Sequence, residues 1–529
     1  MRSAVLALLL VLLFAGCSSK EGGDGGTPTP PPPTGPVRDP AWAVAALPLD
    51  HDHADRSLHV GLSTPNLRLV GHDPLVTDYH GAPSGGYYCG EVSREGERRY
   101  AVVNSFTSDT AIVVVDVTDP AAPEMVGELI LQNAHVYDSA ITDDGRYAIL
   151  ATSPLDVLYD DPNSPPGGAG GPGRTGLVTI GATWRDACGR TFQGPTDLVP
   201  YASGVVLVDL TDPTTPTVTD YRPRPAIGPH SVQSSTIDGT TYVLASTTNL
   251  AYTASTFSFF TLEELPVVGG RLVESGEYSA NYEQETVAGG APPLLNGHVD
   301  GTIAKHPVTG ELVAYLANWD EGLVIVRLDG PGQVTRLSGW GGLEAGSGAG
   351  MTGAIHTAYP LPERWDDRAI VVTGQELGGS PSARPTGQIT LLDVTDPASP
   401  SAVARWTLPV GIQWSGGLTF STHYVTLVDG VLYTALYHGG VWAADASPEH
   451  WPNLPSLGVF LPAETPPSEA VTGSLAPEVL DVLPLDDGSV LVFDSTTGAY
   501  TLRLDRSADV PVAAPWEGDL DSPAFPGAS

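Results

Sequence analysis

Between about residues 60 and 505 the chain alternates short runs of β-branched and aliphatic residues with tight clusters of Asp, Gly, Pro, Ser and Thr. The runs are too short for helices and suit strands, and Asp-Gly between two alternating runs marks a hairpin. Val232 to Ser246, Tyr424 to Ala435 and Val479 to Phe493 carry that signal, and Ser139 to Thr152 carries the related Asp-Asp-Gly.

A second pattern lies downstream of these hairpins. Ile112 to Pro123 (IVVVDVTDPAAP) recurs almost letter for letter at Val205 to Pro216 (VVLVDLTDPTTP) and at Ile389 to Pro400 (ITLLDVTDPASP). Weaker copies run from Leu323 to Pro331, Val441 to Pro448 and Ala499 to Asp505. The continuous β-branched run predicts a strand buried on both faces; the following Asp closes an Asx-type turn, and Pro cannot donate to a ladder. A further strand with a Val-Gly or similar step comes next, as at Glu124 to Ile130. Each unit is therefore four antiparallel strands, a to d, and a repeat of roughly 40 residues built this way is the pattern of a propeller blade.

These residues resemble the LVIVD-repeat family, whose repeats carry a Val/Ile run, Asp, an Asp-Pro turn and a second Pro before the next strand. The resemblance spans about residues 60 to 505; it implies a β-propeller and little about chemistry. Strand a begins near Tyr87, His135, His230, His298, His356, His423 and Glu478, which gives seven units. The last has only three strands downstream, and Leu67-Arg68-Leu69-Val70-Gly71 reads as an orphan strand d that completes it. The fold class expected is all-β: a single propeller of seven four-stranded blades, the last closed by an N-terminal strand so that no edge is left open. A count of six would make one of the weaker units an insertion.

The termini read differently. Met1 and Arg2 precede an apolar run from Ala4 to Phe14, and the run ends in Phe14-Ala15-Gly16-Cys17. This resembles a bacterial lipobox, with Phe14 where Leu is usual; it implies a signal peptide over 1–16 and diacylation (palmitate-type chains) of Cys17. Ser18 and Ser19 follow rather than Asp, which implies an outer-membrane location in the cell envelope. Residues 17–58, rich in Gly and Pro, are expected to be a tether, 59–505 the propeller and 506–529 a disordered tail.

Charge narrows the partners. With 24 Lys and Arg against 61 Asp and Glu, the formal net charge is -37, so the chain has no basic footprint for nucleic acid. Such a surface attracts cations and basic partners.

Candidate chemistry rests on histidine. His135, His230, His298, His356 and His423 each stand just before or at the start of strand a, with Glu478 in that place in the last unit and Tyr87 or Tyr88 in the first. Strand a lines a propeller's channel, so these residues are expected to form a ring at the mouth that carries the b–c loops. The longest insertions, 153–203, 247–256 and 374–387, fall in those loops and mark the expected working face. Converging imidazoles suit Cu, Zn or Fe; alternatively, a repeated His ties each blade to its neighbour's backbone. Cys89 and Cys188 would form a disulfide in an oxidising compartment, or Cys89 would be a buried thiol or soft ligand.

Other motifs fail on context. Gly348 to Gly353 matches GxGxxG but opens no helix, and Tyr159 to Asn163 reads as an acidic turn. Trp319, Trp414 and Trp442 read as packing residues. The function expected is a monomeric, envelope-anchored propeller that binds a protein or polysaccharide, with a metal at the histidine mouth. The alternative is a metal-dependent enzyme, an oxidase or hydrolase centred on that ring.

Overall fold

The computed structural model describes residues 55–507 apart from several internal segments, the widest being 155–182, 194–203, 280–297, 342–354, 377–387, 409–419 and 465–475. Cys17 and the signal and lipobox segments lie outside the described residues, as do Trp319, Trp414 and the motifs at 159–163 and 348–353. No described helix is long and apolar enough to cross a membrane.

Seven antiparallel sheets, each with four strands in the order a-b-c-d, form a ring. The a strands are Tyr87–Glu95, Ala134–Ile141, Pro229–Ile237, His298–Lys305, Ile355–Pro360, Val425–Val428 and Val479–Pro484. Each touches the a strand of the next blade, and that of blade seven touches that of blade one, so the ring is closed. Closure uses the N-terminal strand Leu67–Asp73, which pairs antiparallel with strand c of blade seven (Gly498–Leu504) through Leu67↔Leu504 and His72↔Tyr500. The expected seven-blade count and the expected donor of the closing strand are both observed.

Strand c explains why the aliphatic runs are uninterrupted. Ile112 and Val114 pack against Ile141, Leu150 and Val206 of blade two. Val113 and Val115 point the other way, against Leu491 and Phe493 of blade seven. A strand between two neighbours has no solvent face, so alternation disappears. Seven hydrophobic clusters, one per blade interface, make up the core.

The Asp-Pro motif forms two successive Asx turns. Asp116 Oδ1 accepts from Thr118 N at 2.9 Å and Asp119 Oδ1 accepts from Ala121 N at 2.9 Å. The same pair recurs at Asp209 and Asp212 and at Asp393 and Asp396. These turns also meet the previous blade. A Cβ on Gly127 of strand d would stand 2.1 Å from Pro213 O of the next blade's turn, and one on Gly71 would stand 2.4 Å from Pro120 O. The Val-Gly step is thus the socket for the following blade's Asp-Pro turn, and Gly71 makes the same fit where the ring closes. The Asp-Gly hairpins are equally literal: Asp238 and Gly239 have φ of 50° and 80°, and Asp429 and Gly430 have 49° and 78°.

Two expectations change. Residues 55–58, assigned above to the tether, belong to the folded body: Arg56–Leu58 is a 3-10 turn whose Arg56 is buried against Asp494, 3.7 Å from its carboxylate. The described part of the long blade-two insertion does not sit over the channel. Thr183–Asp186 and Thr191–Gln193 extend the outer edge of blade one, with Arg185 opposite Ile130 and Asp186 opposite Leu129. Strand d of blade one offered an unpaired outer edge, and the insertion covers it.

Candidate functional site

Strand a carries a β-bulge near its start in one blade after another, and the bulge fixes what reaches the channel mouth. The residue left over in the pairing is Tyr137, His230, Val299, His356 and Leu480 in blades two, three, four, five and seven. In blade six, His423 N donates to Ala435 O while Ala435 N donates to Tyr424 O, so two residues oppose one and His423 holds the equivalent place. Bulges re-aim side chains and recur beside functional sites.

This register corrects the ring of five histidines and Glu478. His230, His356 and His423 share the bulge position. His298 stands one residue earlier, opposite Asn318, and His135 two residues earlier, opposite Ser153. Glu478 also stands two residues ahead of its bulge; its N–H donates to Asp494 Oδ2 at 2.7 Å and its carboxylate accepts from Ser495 Oγ, which ties it to its own blade. Counting from the start of each unit missed the extra residue because a bulge leaves no mark in the hydrophobic pattern.

His356 and His423 converge. Their ring centroids are 4.1 Å apart, and both side chains are buried. Glu376, at the end of strand b of blade five, completes a cluster in which one nitrogen of each ring and one carboxylate oxygen lie within 4.8 Å of one another. Glu376 Oε1 accepts from Tyr437 OH at 2.5 Å. Glu376 Oε2 is buried, makes no hydrogen bond among the described residues and stands 3.8 Å from His356 Nε2. His230 flanks the cluster, its ring 6.3 Å from that of His356 and stacked on Tyr137 at 5.5 Å.

Burial pushes the His356 imidazole well below the usual histidine range, helped by the nearby His230. Burial does the same to His423, helped by His356 and opposed by Glu376. Both rings are therefore neutral near pH 7, the form that ligates metals. His423 Nδ1–H donates to Leu480 O at 2.7 Å, which places the lone pair of the neutral ring on Nε2. Two neutral imidazoles and one carboxylate with an orphaned oxygen are a donor set for a divalent first-row metal. Sequence reasoning missed Glu376; the only signal was its place at the start of the 374–387 insertion.

The remaining candidates fall elsewhere. Cys188 lies outside the described residues, and Cys89 sits in strand a of blade one. Trp442 is core, its Nε1–H donating to Gly439 O at 3.1 Å.

The fold defines the chain as a seven-bladed β-propeller. The LVIVD repeat family matches residues 106–129, which follow strand b of blade one and take in its strand c and nearly all of its strand d, so this is a propeller carrying an LVIVD repeat, consistent with an LVIVD-repeat β-propeller family. No curated protein matches the chain. Among solved structures it is similar to the WD40 β-propeller domain of Doa1, with a TM-score of 0.44 and 8% identity over 83% of this chain and 98% of that one. It is also similar to the β-propeller domain of Myceliophteria thermophila Cps50 (Swd1), with a TM-score of 0.43 and 10% identity over 80% of this chain and 98% of that one. Saccharomyces cerevisiae Sqt1 gives 0.43 and 10% identity over 80% of this chain and 99% of that one. These likenesses concern architecture alone.

Proposed function

We propose that this chain is an envelope-anchored interaction module, held by acylated Cys17, whose channel mouth binds a transition metal through His356, His423 and Glu376. The observation that carries the metal is the buried, unbonded Glu376 Oε2 facing two neutral imidazoles. A buried carboxylate oxygen without a donor is costly, and a cation bound there removes that cost. The formal net charge of -37 makes a basic protein the favoured macromolecular partner. A second reading, a metal-dependent enzyme, is favoured by the size of the donor set: three converging ligands leave a coordination position for water or substrate.

The test is metal analysis of untagged protein after exposure to zinc, copper and iron salts, beside His356→Ala and Glu376→Gln. The expected result is about one ion per chain in the wild type and a large loss in both variants. Trace metal in the wild type, or equal metal in all three, would sink the site. The anchor is tested separately by labelling cells with a palmitate analogue, which Cys17→Ala should abolish.

A further inference from the structure

One residue past the bulge, strand a presents a second set of side chains to the channel. Asp138, Asp300 and Asp481 occupy that place in blades two, four and seven, opposite Ala151, Ala317 and Phe493. Separations of two, three and two blades are the most even spread of three groups that seven blades permit. All three carboxylates are buried and line one cavity of about 260 Å³, together with Gln233, Thr426 and Tyr359.

Two of the residues that line this cavity carry an orphaned polar atom. Among the described residues, Asp300 Oδ1 has no hydrogen-bond partner although the residue is only 3% exposed, and Thr426 Oγ1, two blades further round the ring, has none either at 3%. Gly301 and Ser231 hydrogen-bond to the Asp300 carboxyl but leave Oδ1 bare, whereas each oxygen of Asp138 accepts a bond, from Ser139 N and Val232 N. A buried carboxyl oxygen and a buried hydroxyl, both on residues that line one cavity, call for a hydrogen-bonding group within it.

The geometry selects the donor. Among the described residues only His356, Glu376 and His423 bring three ligand atoms within 4.8 Å, so the three aspartates do not grip one bare ion together. A wider cation, with N–H donors spread over a planar or branched group, reaches carboxylates that stand farther apart. Ala358, Tyr359, Val425, Val482 and Leu483 give the same cavity an apolar wall, which suits a hydrocarbon body better than a shell of water. A dry cavity of about 150 Å³ holds benzene, and on that scale this one takes roughly ten heavy atoms.

We propose that the central cavity binds a small organic cation, an amine or guanidine with a short aliphatic body, through Asp138, Asp300 and Asp481. The site adjoins the histidine cluster through Thr357 and Tyr424 but uses other charged groups and does not depend on a metal there.

Titration calorimetry of the full chain with agmatine, in a chelating buffer, tests this. Agmatine should bind, Asp300→Asn should weaken it by about tenfold or more, and Thr426→Val should weaken it less. Asp238→Asn, at an exposed carboxylate paired with Lys305, should leave binding unchanged. Glu376→Gln should also leave it unchanged, which separates this site from the metal reading. Absence of binding, undiminished binding in a folded Asp300→Asn protein, equal binding of 1,5-pentanediol, or displacement of agmatine by magnesium chloride would each overturn the proposal.

Discussion

His423 Nδ1 lies 2.7 Å from the backbone carbonyl oxygen of Leu480, so a ring in the candidate metal cluster also fastens blade six to blade seven. Structural and ligand roles, which look like rivals in the sequence, fall on different nitrogens of one imidazole. In the presence of a chelator, His423→Ala should lower unfolding free energy by about 1 to 3 kcal/mol, because a buried carbonyl loses its donor. Zinc should then raise the melting temperature of the wild type and leave that of the variant where it is. Thermal melts with and without zinc check both parts, and a zinc response retained by the variant would count against ligation by His423.

Gly127 has no room for a side chain beside Pro213 O. Gly127→Ala should therefore cost about 1 to 3 kcal/mol through displaced backbone. Urea denaturation measures it, and a change within error would mean that the socket yields.

Arg56 is the partner of a fully buried carboxylate. Asp494 also accepts from Glu478 N, Thr496 N and Thr497 N, so removing Arg56 leaves it held in the same buried place without its cation. Arg56→Ala should destabilise by about 3 to 5 kcal/mol. A tether residue would give no effect, so the same denaturation curve tests where the folded body begins.

Burial pushes the Asp300 carboxyl up to about 8, with Asp481 adding to the rise and hydrogen bonds from Gly301 and Ser231 opposing it. Asp138 moves the same way, through burial first and then the charges of Asp300 and Asp481. In the unfolded chain such groups titrate near 3.9, so between about pH 4 and pH 8 the unfolded state releases protons that the folded state keeps. Stability from this source is full below that window and falls as pH rises through it. Asp300→Asn should flatten the decline in melting temperature over that range, measured without added amine; an unchanged slope would contradict it.

The architecture was legible because its signals are local. Ile112 to Pro123 and its copies state strand, double Asx turn and stop in a dozen residues, and Leu67 to Gly71 repeats the Val-Gly step that marks a strand d. Blade number and ring closure follow from counting such units.

The site was only half legible, and the reason is register. Histidine at the start of strand a could be read in five units, but which of them reach one another depends on a single bulged residue, and the hydrophobic pattern is silent there. Glu376 follows strand b of blade five and meets His423 only when blade six packs against blade five. Asp138, Asp300 and Asp481 are more than 150 residues apart at each step in sequence, and nothing local marks them as neighbours. Sequence alone determined what each blade is made of, because strands and turns are set by residues close along the chain. The tertiary structure decided which polar groups face one another across the channel, because that depends on how seven blades are set around one axis.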